Sequence, residues 1–116
     1  ERVEGTPSCE LPKTLVKKND IHITSKRNFD CFQDTELDML LKRTLDVKNI
    51  IICGVNTDTC VYGTTFGASN RGYNPIVIEC CTGSMRGEDQ HKTALKIMSQ
   101  SIAWVMKKEE ILNKLN

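Results

Sequence analysis

Asn49-Ile50-Ile51-Ile52-Cys53-Gly54-Val55-Asn56-Thr57-Asp58-Thr59-Cys60-Val61 is the stretch that decides the fold. It opens as an apolar, β-branched run and ends in small and polar residues. A run such as Ile50 to Cys53 predicts a strand buried on both faces, as in a parallel sheet with helices on either side. Gly54 breaks the run, and Thr57, Asp58 and Thr59 are residue types that cap a helix N-terminus. From Val61 to Arg71 the apolar spacing becomes helical, and Gly72 is a natural C-terminal stop. Cys60 is therefore placed at the C-terminal end of a central strand, in or just before the first turn of the next helix. In open α/β sheets that edge is where ligands bind.

The placement has chemical consequences. An ordinary thiol titrates near pH ~8.5, so at neutral pH the nucleophilic thiolate is the minor form. Unpaired N–H groups and the dipole at a helix N-terminus favour the thiolate. The same N–H groups are suited to hold an oxyanion formed on an attacked carbonyl. One short turn thus supplies both a candidate nucleophile and a candidate oxyanion hole. The plainer reading is that Cys60 is a small buried hydrophobe, the usual fate of a free cysteine.

Outward from this turn the chain alternates strands and helices. Upstream, residues 1–19 are polar and carry Gly5, Pro7 and Pro12, which predicts an irregular lead-in with one helical turn. Ile21-His22-Ile23-Thr24 alternates and predicts a short strand, followed by the polar segment Ser25 to Phe32. Thr35 opens a helix as its N-cap, with Asp38 three residues on as in a capping box and Leu37, Leu40, Leu41 and Leu45 as its buried stripe. Downstream, Pro75 to Glu79 predicts a strand, and Cys80 to Ser84 the loop at its end, with the two cysteines as packing residues. Gln90 to Ile102 predicts a helix with Ala94, Leu95, Met98 and Ile102 inward. Trp104 to Met106 predicts a short last strand and Lys108 to Leu115 a terminal helix. This order predicts an α/β fold: a parallel, Rossmann-like sheet with right-handed crossovers in a three-layer α/β/α arrangement.

Composition narrows the function classes. The chain has 116 residues, enough for one domain with one core, and a formal net charge of +1 with both signs scattered. That balance gives no support for nucleic-acid or anionic-membrane binding. No apolar run approaches transmembrane length. The six cysteines include an adjacent pair, Cys80-Cys81, and one inside an apolar strand, Cys53. This is not the pattern of a compact disulfide framework, and reduced thiols in a cytoplasmic protein are the expectation. The histidines, His22 and His91, stand at no metal-binding spacing, so neither a metal nor a cofactor is expected.

Gly54 to Val61, with Thr64, Ala68 and Gly72-Tyr73 after it, resembles the nucleophile motif of the isochorismatase-like cysteine hydrolases. That superfamily includes nicotinamidases, N-carbamoylsarcosine amidases and ureidoacrylate hydrolases. The resemblance runs along nearly the whole chain and is specific at the motif. It implies that Cys60 is the nucleophile and that Lys26, at the end of the strand before it, is the catalytic lysine. It implies that Phe32 helps wall the substrate pocket, and that His91 is a structural hydrogen-bonding residue. It also implies a cis peptide between Val55 and Asn56, with the N–H groups of Asn56 and Cys60 as oxyanion donors. Asp30 stands where the family more often has a small residue such as Ser, and Cys80-Cys81 where relatives usually carry an Asp-Ala pair. The third member of the family's triad, an Asp in an Asp-x-Gln-like context, has no match here. Residues 1–116 are therefore read as the C-terminal part of one such domain, the N-terminal strands being absent, in a protein of ~180 to 200 residues. The implied activity is cleavage of a C–N bond in a small amide, ureido or carbamoyl compound through a Cys60 thioester, in a homo-oligomer (dimer or tetramer). The alternatives are vinyl-ether hydrolysis of the isochorismatase type, which Cys60 argues against, an inactive binding or scaffold protein, and a thiol redox sensor pairing Cys60 with Cys80 or Cys81.

Overall fold

The structure is a computed structural model that describes residues 5–7 and 10–116. Cys9 lies outside the described residues. After one 3₁₀ turn at Lys13–Leu15, the first helix, α1 (Leu37–Met39), runs on as a wider π-helical turn, Leu40–Thr44. Then follow β1 (Asn49–Val55), a π-helical turn (Thr57–Val61) leading into α2 (Tyr62–Asn70), and β2 (Asn74–Gly83). The chain closes with α3 (Glu88–Ser101), β3 (Trp104–Met106) and α4 (Lys108–Leu115). The sheet is parallel throughout, in the order β1-β2-β3. Strand, helix, strand therefore repeats as the sequence pattern predicts, and the fold is α/β.

Two apolar clusters hold the helices to the sheet. Val61, Val77, Ala94, Leu95 and Met98 bury the inner face of α3 against β2, with Ile52, Phe66, Ile102 and Val105 packed around them. Phe32, Ala68 and Tyr73 form the second cluster, which Leu37, Leu41, Ile50 and Ile52 complete. Val77 and Ile78 leave β2 on opposite faces and are both buried, and α4 also lies against β2. Gly72, at φ 89°, ends α2 in the left-handed region that favours glycine, as the stop signal predicts.

Several local expectations are corrected. β1 is not central and not buried on both faces. It is the edge of the described sheet, with Ile50 and Ile52 half-buried against the helices while Ile51 is 46% exposed and Cys53 is exposed. An apolar run reports what a strand can bury, not whether a second layer is present to bury it. Ile21 to Thr24 is not a strand: no described strand lies beside it, and the Thr24 carbonyl instead accepts from Arg27 Nη1 at 2.9 Å. Cys80 and Cys81 are in β2, not in a loop, and both are exposed. Here the ladder steps from Ile52↔Val77 to Gly54↔Thr82, so four residues of β2 bulge opposite Cys53 alone. Gly54 takes φ 126° at this step. Thr35 Oγ1 does accept from the Leu37 N–H at 3.3 Å, but Asp38 does not close a capping box. Its carboxylate accepts from the Tyr73 hydroxyl at 2.8 Å and pairs with Lys42 at 3.3 Å. Leu45, at the helix end, is 48% exposed.

Candidate active site

The candidate site forms where β1 ends and the turn to α2 begins. The Val55-Asn56 peptide is cis, as the resemblance implies. The Asn56 carbonyl accepts from the N–H groups of Thr59 and Val61, both at 3.1 Å, which wraps residues 57–61 into the wide turn that carries Cys60. Thr57 and Val61 are buried and anchor the turn, whereas Cys60 is half-buried with its sulfur accessible to a neighbour. That neighbour is Lys26, whose Nζ–H donates to Cys60 Sγ at 3.9 Å across 34 residues of sequence. The contact sets a cationic side chain directly against the sulfur.

The predicted capping roles fall differently. No side chain caps the turn from Asn56 or α2 from Val61. Thr57, Asp58 and Asn56 turn outward to other elements instead. Thr57 Oγ1 is 2.7 Å from Nδ1 of buried His91 on α3, the structural hydrogen bond expected of that histidine. Asp58 Oδ1 accepts from Ser84 Oγ at 2.7 Å and Oδ2 from Arg86 Nη1 at 2.9 Å. The Ser84 hydroxyl first, and Arg86 with it, hold the Asp58 carboxyl below the usual carboxylate range. Asn56 Oδ1 accepts from the Met85 N–H at 2.9 Å. Nothing in the local sequence pairs residues 56–58 with residues 84–91. Short side-chain acceptors within a turn motif are the signal that could have raised the question.

Phe32 is 4% exposed and stacks on Tyr73 in the second cluster, with the Arg71 guanidinium 5.0 Å from its ring centre. The aromatic that does face outward here is Phe29, 67% exposed, whose carbonyl accepts from Thr64 Oγ1 on α2. Asp30, the departure from the family pattern, is turned onto α2. It pairs with Arg71 at 3.3 Å and accepts the Phe32 N–H at 2.8 Å, and its carboxylate fills the space a side chain on Gly67 would need. Lys26 also lines an open cleft of about 1100 Å³ whose other walls include Leu11, Leu15, Ile21, Ile23 and Thr24. Among the described residues no three His, Cys, Asp or Glu side chains converge as a metal-ligand set.

The structure thus combines a parallel α/β sheet with a cysteine on the strand-to-helix turn and a lysine against its sulfur. The chain belongs to the isochorismatase family: the isochorismatase domain matches residues 1–110. Among its relatives is an isochorismatase family protein of Escherichia coli, 33% identical over 97 residues, covering 84% of this chain and 50% of the relative. An isochorismatase-like hydrolase from Alkaliphilus metalliredigens superposes with a TM-score of 0.89 at 27% identity, covering 98% of this chain and 61% of that one. The nicotinamidase of Staphylococcus aureus superposes with a TM-score of 0.66 at 35% identity, covering 70% of this chain and 51% of that one. The chain spans about half the length of the curated relatives it matches. Among the described residues no helix is long and apolar enough to cross a membrane.

Proposed function

We propose that this chain carries the nucleophile of an enzyme that hydrolyses a C–N bond in a small amide, ureido or carbamoyl compound. The observation that carries the reading is the 3.9 Å contact between Lys26 Nζ and Cys60 Sγ at the end of β1. The structural likeness to a nicotinamidase supports amide chemistry. In this mechanism the Cys60 thiolate attacks the carbonyl carbon, forming a C–S bond and a tetrahedral oxyanion. The backbone N–H groups of Asn56 and Cys60 are the donors assigned to that oxyanion, and Lys26 offsets the negative charge on sulfur and then on oxygen. The C–N bond breaks as the amine leaves with the proton the thiol gave up. Water then adds to the thioester, the C–S bond breaks, and the acyl group leaves as a carboxylic or carbamic acid while the Cys60 thiol is regenerated. The proton shuttle requires an acid/base group. The resemblance assigns it to an Asp for which these 116 residues have no match.

Residues 1–116 act in this reading as the C-terminal part of one hydrolase domain. The bare face of β1, with Ile51 46% and Val55 66% exposed, supports a catalytic unit that includes further protein. We assign that unit to the cytoplasm as a homo-oligomer, with Phe29 rather than buried Phe32 as the exposed aromatic of this segment. The test is ammonia release from a panel of small amides and ureido compounds, nicotinamide among them, with mass spectrometry of the Cys60 peptide after acid quench. The expected result is an acyl adduct on Cys60 and loss of turnover in Cys60→Ala with an unchanged circular dichroism spectrum. Turnover in Cys60→Ala within a few-fold of wild type overturns the assignment.

A further inference from the structure

We infer that Asp58 is a positioning residue for the Cys60 turn, which it clasps to the Ser84–Gly87 segment beyond β2. The inference rests on the reading of Cys60 as the nucleophile, and it concerns a residue two positions away that touches neither Cys60 nor Lys26 through any hydrogen bond.

Three consecutive residues of the turn reach the same neighbourhood. Asn56 Oδ1 takes the Met85 N–H at 2.9 Å, and Thr57 Oγ1 meets His91 Nδ1 at 2.7 Å. Asp58 takes Ser84 Oγ at 2.7 Å and Arg86 Nη1 at 2.9 Å, one on each carboxylate oxygen. Ser84 Oγ also accepts the Arg86 N–H at 3.1 Å, so the segment is folded around the Asp58 carboxylate rather than merely touching it. The Asp58 side chain is 10% exposed, while its partner Arg86 is 63% exposed. A carboxylate so enclosed is costly to leave unpaired, which favours the closed arrangement over one in which the segment swings away. The turn itself is wide, and its backbone ring closes on the single Asn56 carbonyl through Thr59 and Val61. Buried Val61 fixes the far end of the turn, and the near end, which carries residues 56–58, is set by what holds those residues from outside. Thr57 is held by a buried bond to α3, whereas Asn56 and Asp58 are held by a short segment, Ser84–Gly87, that forms one turn closed by the Gly87 N–H donating to the Ser84 carbonyl at 3.2 Å. Asp58 is the group that binds that segment at two side chains.

The experiment uses the full chain and two readouts. Amide hydrogen exchange followed by mass spectrometry measures peptides spanning 56–61 and 84–87, with peptides from β3 and α4 as internal references. Iodoacetamide alkylation at pH 7, read peptide by peptide, measures Cys60. Asp58→Ala is expected to speed exchange in the two clasped segments by about tenfold or more while the references stay unchanged. It is also expected to slow alkylation of Cys60 several-fold. Asp58→Asn, which keeps an acceptor for Ser84 but loses the charge for Arg86, is expected to restore most of both losses. If Asp58→Ala unfolds the chain, Arg86→Ala and Ser84→Ala carry the same test, each with a smaller change in the same two segments. Unchanged exchange in both segments overturns the clasp. Faster exchange with unaltered Cys60 alkylation, in a protein where Lys26→Met does slow alkylation, overturns the positioning role. Alkylation unaltered by Lys26→Met overturns the positioning role, because the orientation of the turn against Lys26 then has no effect on Cys60, whereas the nucleophile reading falls separately, by turnover in Cys60→Ala within a few-fold of wild type.

Discussion

Removing the ammonium beside Cys60 is the sharpest test of the site. Lys26→Met keeps most of the apolar stem and deletes the charge. Opposite unit charges at the observed 3.9 Å attract by about 1 kcal/mol when screened as in water, and by about 4 kcal/mol at an effective dielectric constant of about 20. Both residues are half-buried, so the lower part of that range applies, about 1–2 kcal/mol of lost stabilisation for negative charge on the sulfur, a factor of about five to thirty. A sulfur whose charge is not held by a cation is intrinsically more nucleophilic, which returns about half of the loss on a logarithmic scale. The net expectation is an alkylation rate for Cys60 about two- to eightfold lower at pH 7. The assay is a time course with limiting iodoacetamide, digestion, and quantitation of the Cys60 peptide apart from the other thiols. Lys26→Arg retains the charge and is expected to recover at least half of the effect. A Lys26→Met rate within about 1.5-fold of wild type, in a chain with an unchanged melting curve, refutes the Coulomb argument and leaves Lys26 as a neighbour without influence.

Three further outcomes follow from the packing. Gly67→Ala places a Cβ 2.6 Å from the Asp30 carboxyl carbon and is expected to cost about 1–3 kcal/mol in urea unfolding; adding Asp30→Ala should cancel much of that cost, and strict additivity of the two changes would refute the contact. Tyr73 is pushed up to about 12, first by burial and then by its bond to Asp38, so the folded state holds the neutral phenol while the unfolded chain ionises from about pH 10. Its contribution is complete below that pH and lost as the pH rises toward 12, and Tyr73→Phe is expected to flatten this part of the alkaline stability profile. Cys53→Ala, at an exposed site, is expected to change stability by less than about 0.5 kcal/mol, and a loss of 2 kcal/mol or more would mean that Cys53 is a core residue after all.

The sequence by itself determined the order and type of the main elements. The apolar run of β1, the helical spacing of Ala94, Leu95 and Met98, the left-handed stop at Gly72 and the bounds of α4 are all local, and each was legible because an element's own periodicity records the face it must bury. Cys60 at the start of the post-strand helix was legible for the same reason, since strand end and helix start adjoin in the chain. Tertiary structure alone decided what depends on neighbours. Whether Ile21–Thr24 forms a strand depends on a partner strand to share its hydrogen bonds, and whether Ile51 and Cys53 are covered depends on a layer above them. The bulge that draws Cys80 and Cys81 into β2 is a property of two strands in register, not of either one. The pairing of Asp58 with Ser84 and Arg86 across 26 and 28 residues arises because β1 and β2 end at the same edge of a parallel sheet, and Lys26 reaches Cys60 across 34 residues from a segment outside that sheet. Side chains far apart in the chain meet there because of topology, and no local periodicity encodes that meeting.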